Sequence, residues 1–385
     1  MHSICGSPQL HNFKKHSLIT ILILVMVIAI PLPITCYADS PIDAQQSVQT
    51  SRQSAPAIDI NNKIKLKKPT NPRAQVWRKV REGVTGYSAV TGPETGQLIE
   101  SNGEVWRRIR NGPLATYGAW AIFATLVALE LFYICRGQVK LSLERTGNKL
   151  LRWTTFERFI HWYTALLFLL LTITGLSILY GRSALIPLLG HESFAAWAAW
   201  AKLIHNYTGP LFMTGLFTMI VIWLKDNLPD KYDLAWFKAF GGLIGNKHPS
   251  AARMNAGEKA WFWLLFWCGM LISMTGLVLD FPIIEQERFI LQITHIIHLG
   301  CAILLIIGAL GHIYIGTLGT EGALEGMISG DVDEAWAKQH HDLWLEEMIA
   351  VKKQQKQGSA LKAIDRLRGD ITQQPPEQSG PSLND

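Results

Sequence analysis

Residues Leu291 to Thr317 read LQITHIIHLGCAILLIIGALGHIYIGT and contain no Asp, Glu, Lys or Arg. A run of about 20 apolar residues crosses the hydrocarbon of a bilayer as one helix. Helix is the form such a segment must take there, because lipid leaves its backbone groups no other hydrogen-bond partners. Three histidines interrupt the stretch: His295, His298 and His312. Imidazoles inside hydrocarbon are costly, which makes them functional candidates. His298 and His312 are fourteen residues apart. At about 100° and 1.5 Å per residue they leave the same helix face, roughly 21 Å apart along the axis. One ring therefore lies near each membrane surface, an arrangement that suits two metal centres stacked across a membrane. His295 is seventeen residues from His312 and about 100° off that face, so the spacing favours His298.

The composition agrees with a membrane protein. The chain is 49 % hydrophobic and only 17 % charged, and its 14 Trp residues fit aromatic belts at the membrane surfaces. Net charge is +6, and nothing in its distribution calls for nucleic acid. The five cysteines, Cys5, Cys36, Cys135, Cys268 and Cys301, form no C-x-x-C pair and no C-x-x-C-H sequence. This excludes an iron–sulfur cluster or a c-type haem of recognisable pattern. Cys135, Cys268 and Cys301 fall in apolar spans, where packing is the expected role.

Residues 1–38 form an export signal: Lys14 and Lys15, an apolar run from Ser17 to Ile34, then TCYADS. Cleavage is expected after Ala38; Pro33-Ile34-Thr35 makes a poor lipobox for Cys36, and the competing reading is an uncleaved anchor. Either way residue 39 onward is exported. Residues 39–75 read as a polar linker, and 76–114 as a small periplasmic segment with Trp, Tyr and Gly-containing turns. That segment is a cap on the membrane part or a docking surface for an exported partner. Val90–Gly96 is Gly-rich but lacks the P-loop spacing and lysine.

Apolar spans are read at 115–135, 157–180, 197–224, 260–281 and 291–316. The loop after the first carries Arg136, Lys140, Arg145, Lys149, Arg152 and Arg158 against Glu144 and Glu157, which marks it as cytoplasmic. The 225–259 loop is likewise cytoplasmic, with Lys225, Lys231, Lys238, Lys247, Arg253 and Lys259. The loop between spans two and three and the short loop at Glu285–Arg288 lie outside. Arg107, Arg108 and Arg110 oppose this orientation, and the export signal overrides them. The expected fold is an all-α integral membrane protein. It has a four-helix, haem-binding bundle in 152–320, one extra N-terminal span at 115–135, and an exported segment at 39–114. A cytoplasmic tail at 321–385 is disordered at its end.

On this topology His161 and His312 share the inner level, and His205 and His298 the outer. Four imidazoles at two depths match two haems b with two His each. Two such ligands close both axial positions of the iron and favour electron transfer over oxygen binding. The competing reading is hydrogen bonding in the core of the bundle. A single zinc site is disfavoured because the pairs are too far apart. His191, His248, His340 and His341 lie in loops or the tail and are given no ligand role. Gly175, fourteen residues after His161, and Gly209, one turn after His205, would let a porphyrin approach or let helices pack closely. Asn255, where the cytoplasmic loop enters span four, is either a donor to a quinone carbonyl or a helix cap. Glu130 is either a proton relay or a snorkelling carboxylate.

From Arg152 to Met348 the sequence resembles the gamma (cytochrome b) subunit of membrane-bound respiratory formate dehydrogenase. The residues that carry the likeness are ERFIHW at 157–162, LIHNYTG at 203–209, DNLPDKYD at 226–233 and MNAGEKAWFW at 254–263. To these are added His298 with His312 in GHIYIG, and GMISGDVDEAWAKQHHDLW at 326–344. The exported segment and the first span resemble the longer form of that subunit. The resemblance implies His161 and His312 as ligands of the inner haem b, and His205 and His298 as ligands of the outer. It also implies a quinone (menaquinone or ubiquinone) pocket at Asn255. Electrons would come from an iron–sulfur beta subunit and a molybdenum or tungsten catalytic alpha subunit, both exported. The chain would sit in a bacterial inner membrane with its C-terminus cytoplasmic and carry no formate chemistry of its own. His295 departs from the family pattern. A cytochrome b anchor for a hydrogenase or another exported reductase shares the same bundle. A transporter or assembly scaffold with structural histidines is the reading from another class.

Overall fold

The structure, a computed structural model, describes residues 101–243, 248–281 and 287–372, with side chains no further than residue 362. The export signal 1–38, the linker 39–75, residues 76–100 of the small exported segment with Val90–Gly96, half of the Glu285–Arg288 loop and the end of the tail lie outside the described residues. Ten helices are named here: α1 Ser101–Ile109, α2 Ala115–Arg136, α3 Thr155–Ala184, α4 Ile186–Trp223, α5 Asp233–Lys238, α6 Ala256–Asp280, α7 Arg288–Tyr314, α8 Ala323–Ser329, α9 Glu334–His340 and α10 Asp342–Thr372. Two short strands, β1 Lys149–Leu151 and β2 Asp331–Asp333, pair antiparallel, with Leu150 opposite Val332.

Among the described residues, four helical stretches are long and apolar enough to cross a membrane: Asn102–Arg136, Thr155–Ala184, Ala256–Asp280 and Arg288–Gly319. They contain four of the five expected spans. The fifth, 197–224, falls in α4, which is 38 residues long but is not among the four. Its His205-Asn206-Tyr207-Thr208-Gly209-Pro210 stretch dilutes the apolar character, and the helix turns at Gly190 (φ 78°, ψ 170°). Only 17–33 % of the most apolar windows of the four helices is buried. Leu166, Phe217 and Trp267 are each about 60 % exposed or more. So much exposed apolar surface belongs in lipid, not water. The fold is a bundle of helices, four of its helical stretches long and apolar enough to cross a membrane.

The described chain divides into two compact units. One takes in the chain up to Cys135, Ile160–Met219 and Leu264–Tyr314. Its core joins Ala119 and Ile122 of α2, Leu176 and Tyr180 of α3, and Ile306 and Leu310 of α7. The Tyr180 hydroxyl donates to the Ala115 carbonyl at 2.7 Å, which ties α3 to the start of α2. A Cβ at Gly118 would overlap Ile303, so α2 and α7 approach as closely as they do only because that side chain is missing. Cys268 and Cys301 are buried here, whereas Cys135 is exposed.

The other unit takes in Arg136–Phe159, Ile220–Trp263 and Ile315–Asp385. Leu150, Val332, Trp336, Ala337, Trp344 and Leu345 form its core. Much of the expected tail is therefore folded: α8, β2, α9 and α10 build this unit with β1. Asp333 caps α9, accepting from the Ala335 amide at 2.8 Å and from the amides of Thr146 and Gly147. Burial opposes its charge most strongly, yet these amide donors together hold its carboxyl below the usual range. The same unit explains why the quoted motifs are charged. Arg253 pairs with Asp226 and Glu157, Lys259 with Asp230 and Asp233, and Arg152 with Glu258. Arg152 is fully buried, its guanidinium 4.9–5.4 Å from the rings of Trp153, Trp336 and Trp344.

Candidate functional site

Three helices of the first unit carry the four histidines: α3 His161, α4 His205, and α7 both His298 and His312. They come together as two pairs. The rings of His161 and His312 have centroids 6.1 Å apart at 58°, and those of His205 and His298 are 6.2 Å apart at 65°. The same residues are the ones expected to share a depth on the topology read from the sequence. Fourteen residues of α7 separate the pairs, roughly 21 Å of helix. Between them α7 contributes fully buried Leu305, as well as Ile303 and Ile306.

The separation within each pair is chemically informative. Two neutral imidazoles sharing one metal through nitrogens about 2 Å away have ring centroids about 6 Å apart. Rings hydrogen-bonded to each other would need a donor on one facing an acceptor on the other; in the His205/His298 pair both Nδ1 atoms face threonine hydroxyls instead. Among the described residues, no group of three or more His, Cys, Asp and Glu could hold a metal ion. A pair of imidazoles at this separation suits a metal whose remaining ligands a macrocycle supplies. The Nδ1 of His161 is buried and has no hydrogen-bond partner among the described residues. His161, His205 and His298 are half-buried, and His312 is exposed. The residues present fit haem b.

The surroundings of the pairs differ. His205 Nδ1 lies 2.9 Å from the Thr174 hydroxyl, and His298 Nδ1 lies 3.1 Å from the Thr275 hydroxyl. Gly175 follows Thr174, and a Cβ there would sit 3.3 Å from His205 Cε1. The place of its missing side chain is thus beside the imidazole of His205. Gly209 has open space where a Cβ would go. His161 instead meets the edge of Trp162, with centroids 5.2 Å apart at 86°.

His295 is turned elsewhere. Its ring stacks on Trp106 of α1 at 5.6 Å and 28°, with the Arg110 guanidinium 6.0 Å from the centre of the same indole. His298, not His295, faces His205. Asn255 is the N-cap of α6 in the second unit: its Oδ1 accepts from the Glu258 amide at 3.0 Å, and Glu258 Oε2 accepts from the Asn255 amide at 2.8 Å. This reciprocal capping box satisfies the bland reading of Asn255. The same Glu258 binds Arg152 and lies 3.8 Å from His341 Nε2. His341 is fully buried, and burial first, then the nearby Arg152 cation, pushes its pKa well below the ordinary value. Its Nδ1 lies 2.8 Å from the Ala252 carbonyl, so it serves the fold. Glu130 is exposed on α2.

Thr174, Thr275 and Gly276 are site residues that the reading of the sequence passed over. The available signal was a tripeptide, Thr-Gly-Leu, that occurs at 174–176, 214–216 and 275–277, and only the first and last copies lie beside a paired histidine.

A family model for prokaryotic cytochrome b561 matches residues 152–330, the region that holds all four paired histidines. This region is thus similar to the cytochromes b of that family. The nitrate-inducible formate dehydrogenase cytochrome b556 subunit of Escherichia coli is 28 % identical over 220 residues, which is 55 % of this chain and 98 % of that one. A formate dehydrogenase cytochrome b556 subunit of Haemophilus influenzae is 28 % identical over 211 residues, 53 % of this chain and 86 % of its own. A second Escherichia coli formate dehydrogenase cytochrome b556 subunit is 27 % identical over 205 residues, 52 % and 94 % of the two chains. The likeness to formate dehydrogenase cytochrome b subunits that the motifs carry therefore holds.

Proposed function

We propose that the chain is the two-haem membrane-anchor subunit of a formate dehydrogenase, receiving electrons from an exported iron–sulfur subunit and delivering them to a quinone on the cytoplasmic side. The observation that supports this most strongly is the pairing of His161 with His312 and of His205 with His298, both near 6 Å. When bound, haem b supplies one-electron transfer without taking up protons. His205 and His298 would hold the outer haem, and His161 and His312 the inner one. Asn255 would offer its amide nitrogen to a quinone carbonyl, its Oδ1 being used by the cap. The orientation rests on the positive loops and on an export signal in residues 1–38. The catalytic molybdenum or tungsten subunit is a partner and supplies the formate chemistry.

Affinity purification of the full chain from mild detergent tests the partner. The reading expects a co-purifying iron–sulfur protein and a molybdenum or tungsten protein, with formate reducing a b-type spectrum in the preparation. Co-purification with hydrogenase subunits, and reduction by hydrogen but not by formate, would replace formate dehydrogenase with a hydrogenase anchor.

A further inference from the structure

Two of the three Thr-Gly-Leu tripeptides, at 174–176 and 275–277, occupy equivalent places in two successive helix pairs; the third, at 214–216, lies within α4. Thr174-Gly175 is on α3 and serves His205 on α4; Thr275-Gly276 is on α6 and serves His298 on α7. In both cases the hydroxyl proton has another destination. Thr174 Oγ1 donates to the Leu170 carbonyl at 2.8 Å, and Thr275 Oγ1 donates to the Leu271 carbonyl at 2.7 Å. A hydroxyl has one proton to give. Towards the imidazole each oxygen therefore acts as an acceptor, and the proton in the contact belongs to Nδ1. In a neutral imidazole a protonated Nδ1 leaves the lone pair on Nε2.

The glycines complete the cradle. A Cβ at Gly175 would sit 3.3 Å from His205 Cε1, and one at Gly276 would sit 3.5 Å from His298 Cε1. In each case the threonine meets one edge of the ring and the next residue is a glycine; a Cβ at Gly175 would crowd the ring, whereas one at Gly276 would make an ordinary contact with it. His161 has no such acceptor for its Nδ1 among the described residues.

We propose that Thr174-Gly175 and Thr275-Gly276 are matched cradles that hold His205 and His298 as Nδ1–H tautomers, with both Nε2 lone pairs available to one iron. The threonines are positioning residues. This rests on the reading of His205 and His298 as haem ligands. An acceptor on the far nitrogen of a metal-bound imidazole fixes its tautomer and orientation and makes it a stronger donor. A stronger donor favours the oxidised metal, so losing the acceptor raises the reduction potential.

The test uses the full chain, in its complex, in native membranes. Wild type, Thr174→Val, Thr275→Val, the double valine variant and the matching serine variants are titrated optically for haem b potential, with haem counted per chain and low-spin EPR signals recorded. Expected for the valine variants is an upward shift in one haem component, largest in the double variant, with a change in the EPR signal of that component alone. Serine, which keeps the hydroxyl, returns both to near wild type. A valine variant that loses that haem while serine retains it supports the cradle equally. Two haems with unmoved potentials in the double valine variant overturn it, as does a haem lost with valine and not recovered with serine. The ligand reading fails separately: wild-type membranes would then lack a second haem b, or His205→Ala and His298→Ala would keep both.

Discussion

The two histidine pairs have nearly the same ring separation, 6.1 and 6.2 Å, but different surroundings. In the His205/His298 pair each Nδ1 faces a threonine hydroxyl, and each ring lies against a glycine. In the His161/His312 pair, His161 Nδ1 is buried with no hydrogen-bond partner among the described residues, and its ring meets Trp162 edge-on. The separation within a pair is set by what the two rings share. The polar contacts behind the rings set how firmly each is oriented and how basic it is. One chain can thus hold two sites with the same ligands and give them different properties.

The largest effect expected comes from the ligands. Replacing His298 or His205 with Ala should remove one of the two haems, and replacing His161 or His312 the other. A double substitution within one pair should cost no more haem than either single one, while one across pairs should remove both; haem per chain reads each outcome. Next is bulk at the cradle. Gly276→Leu or Gly175→Leu would drive a branched side chain into an imidazole, and the damage should stay with the His205/His298 haem, as seen in which spectral component is lost. Smaller is the threonine effect. A single neutral hydrogen bond contributes about 0.5–1.5 kcal/mol. For a one-electron couple, 1.4 kcal/mol corresponds to about 59 mV. Thr275→Val should therefore move one potential by tens of millivolts at most and leave the other unchanged. Smallest is His295→Gln, which removes a stacking partner of Trp106 and should leave both haems and both potentials in place. A lost haem there would mean that His295, not His298, is the ligand.

The sequence made much of the site legible because the governing distance is local. His298 and His312 are on one helix, and fourteen residues at 3.6 per turn fix their shared face without reference to the rest of the chain. Their partners followed from depth, since a membrane orders helices along a single axis. The cradle was harder to see. A threonine inside an apolar helix bonds its own backbone as a matter of course, and only its neighbour on another helix gives Thr174 and Thr275 a second role. The Arg253–Asp226 and Lys259–Asp230 pairs join motifs 27 and 29 residues apart. Loop composition showed those charges but not their pairing. Residues 321–348 read as polar tail because their core is shared with Leu150, nearly two hundred residues earlier. Asn255 was readable only as two alternatives, and the cap is the one that a local hydrogen bond reveals.

The account rests centrally on two haem sites in one chain, and a pyridine haemochrome assay with protein quantitation on the purified complex tests it most directly. Two haems b per chain is the predicted result. One per chain would contradict it, and would mean that one of the 6 Å pairs is a structural contact between imidazoles. None, in cells that make haem, would remove the electron-transfer function and leave a membrane scaffold.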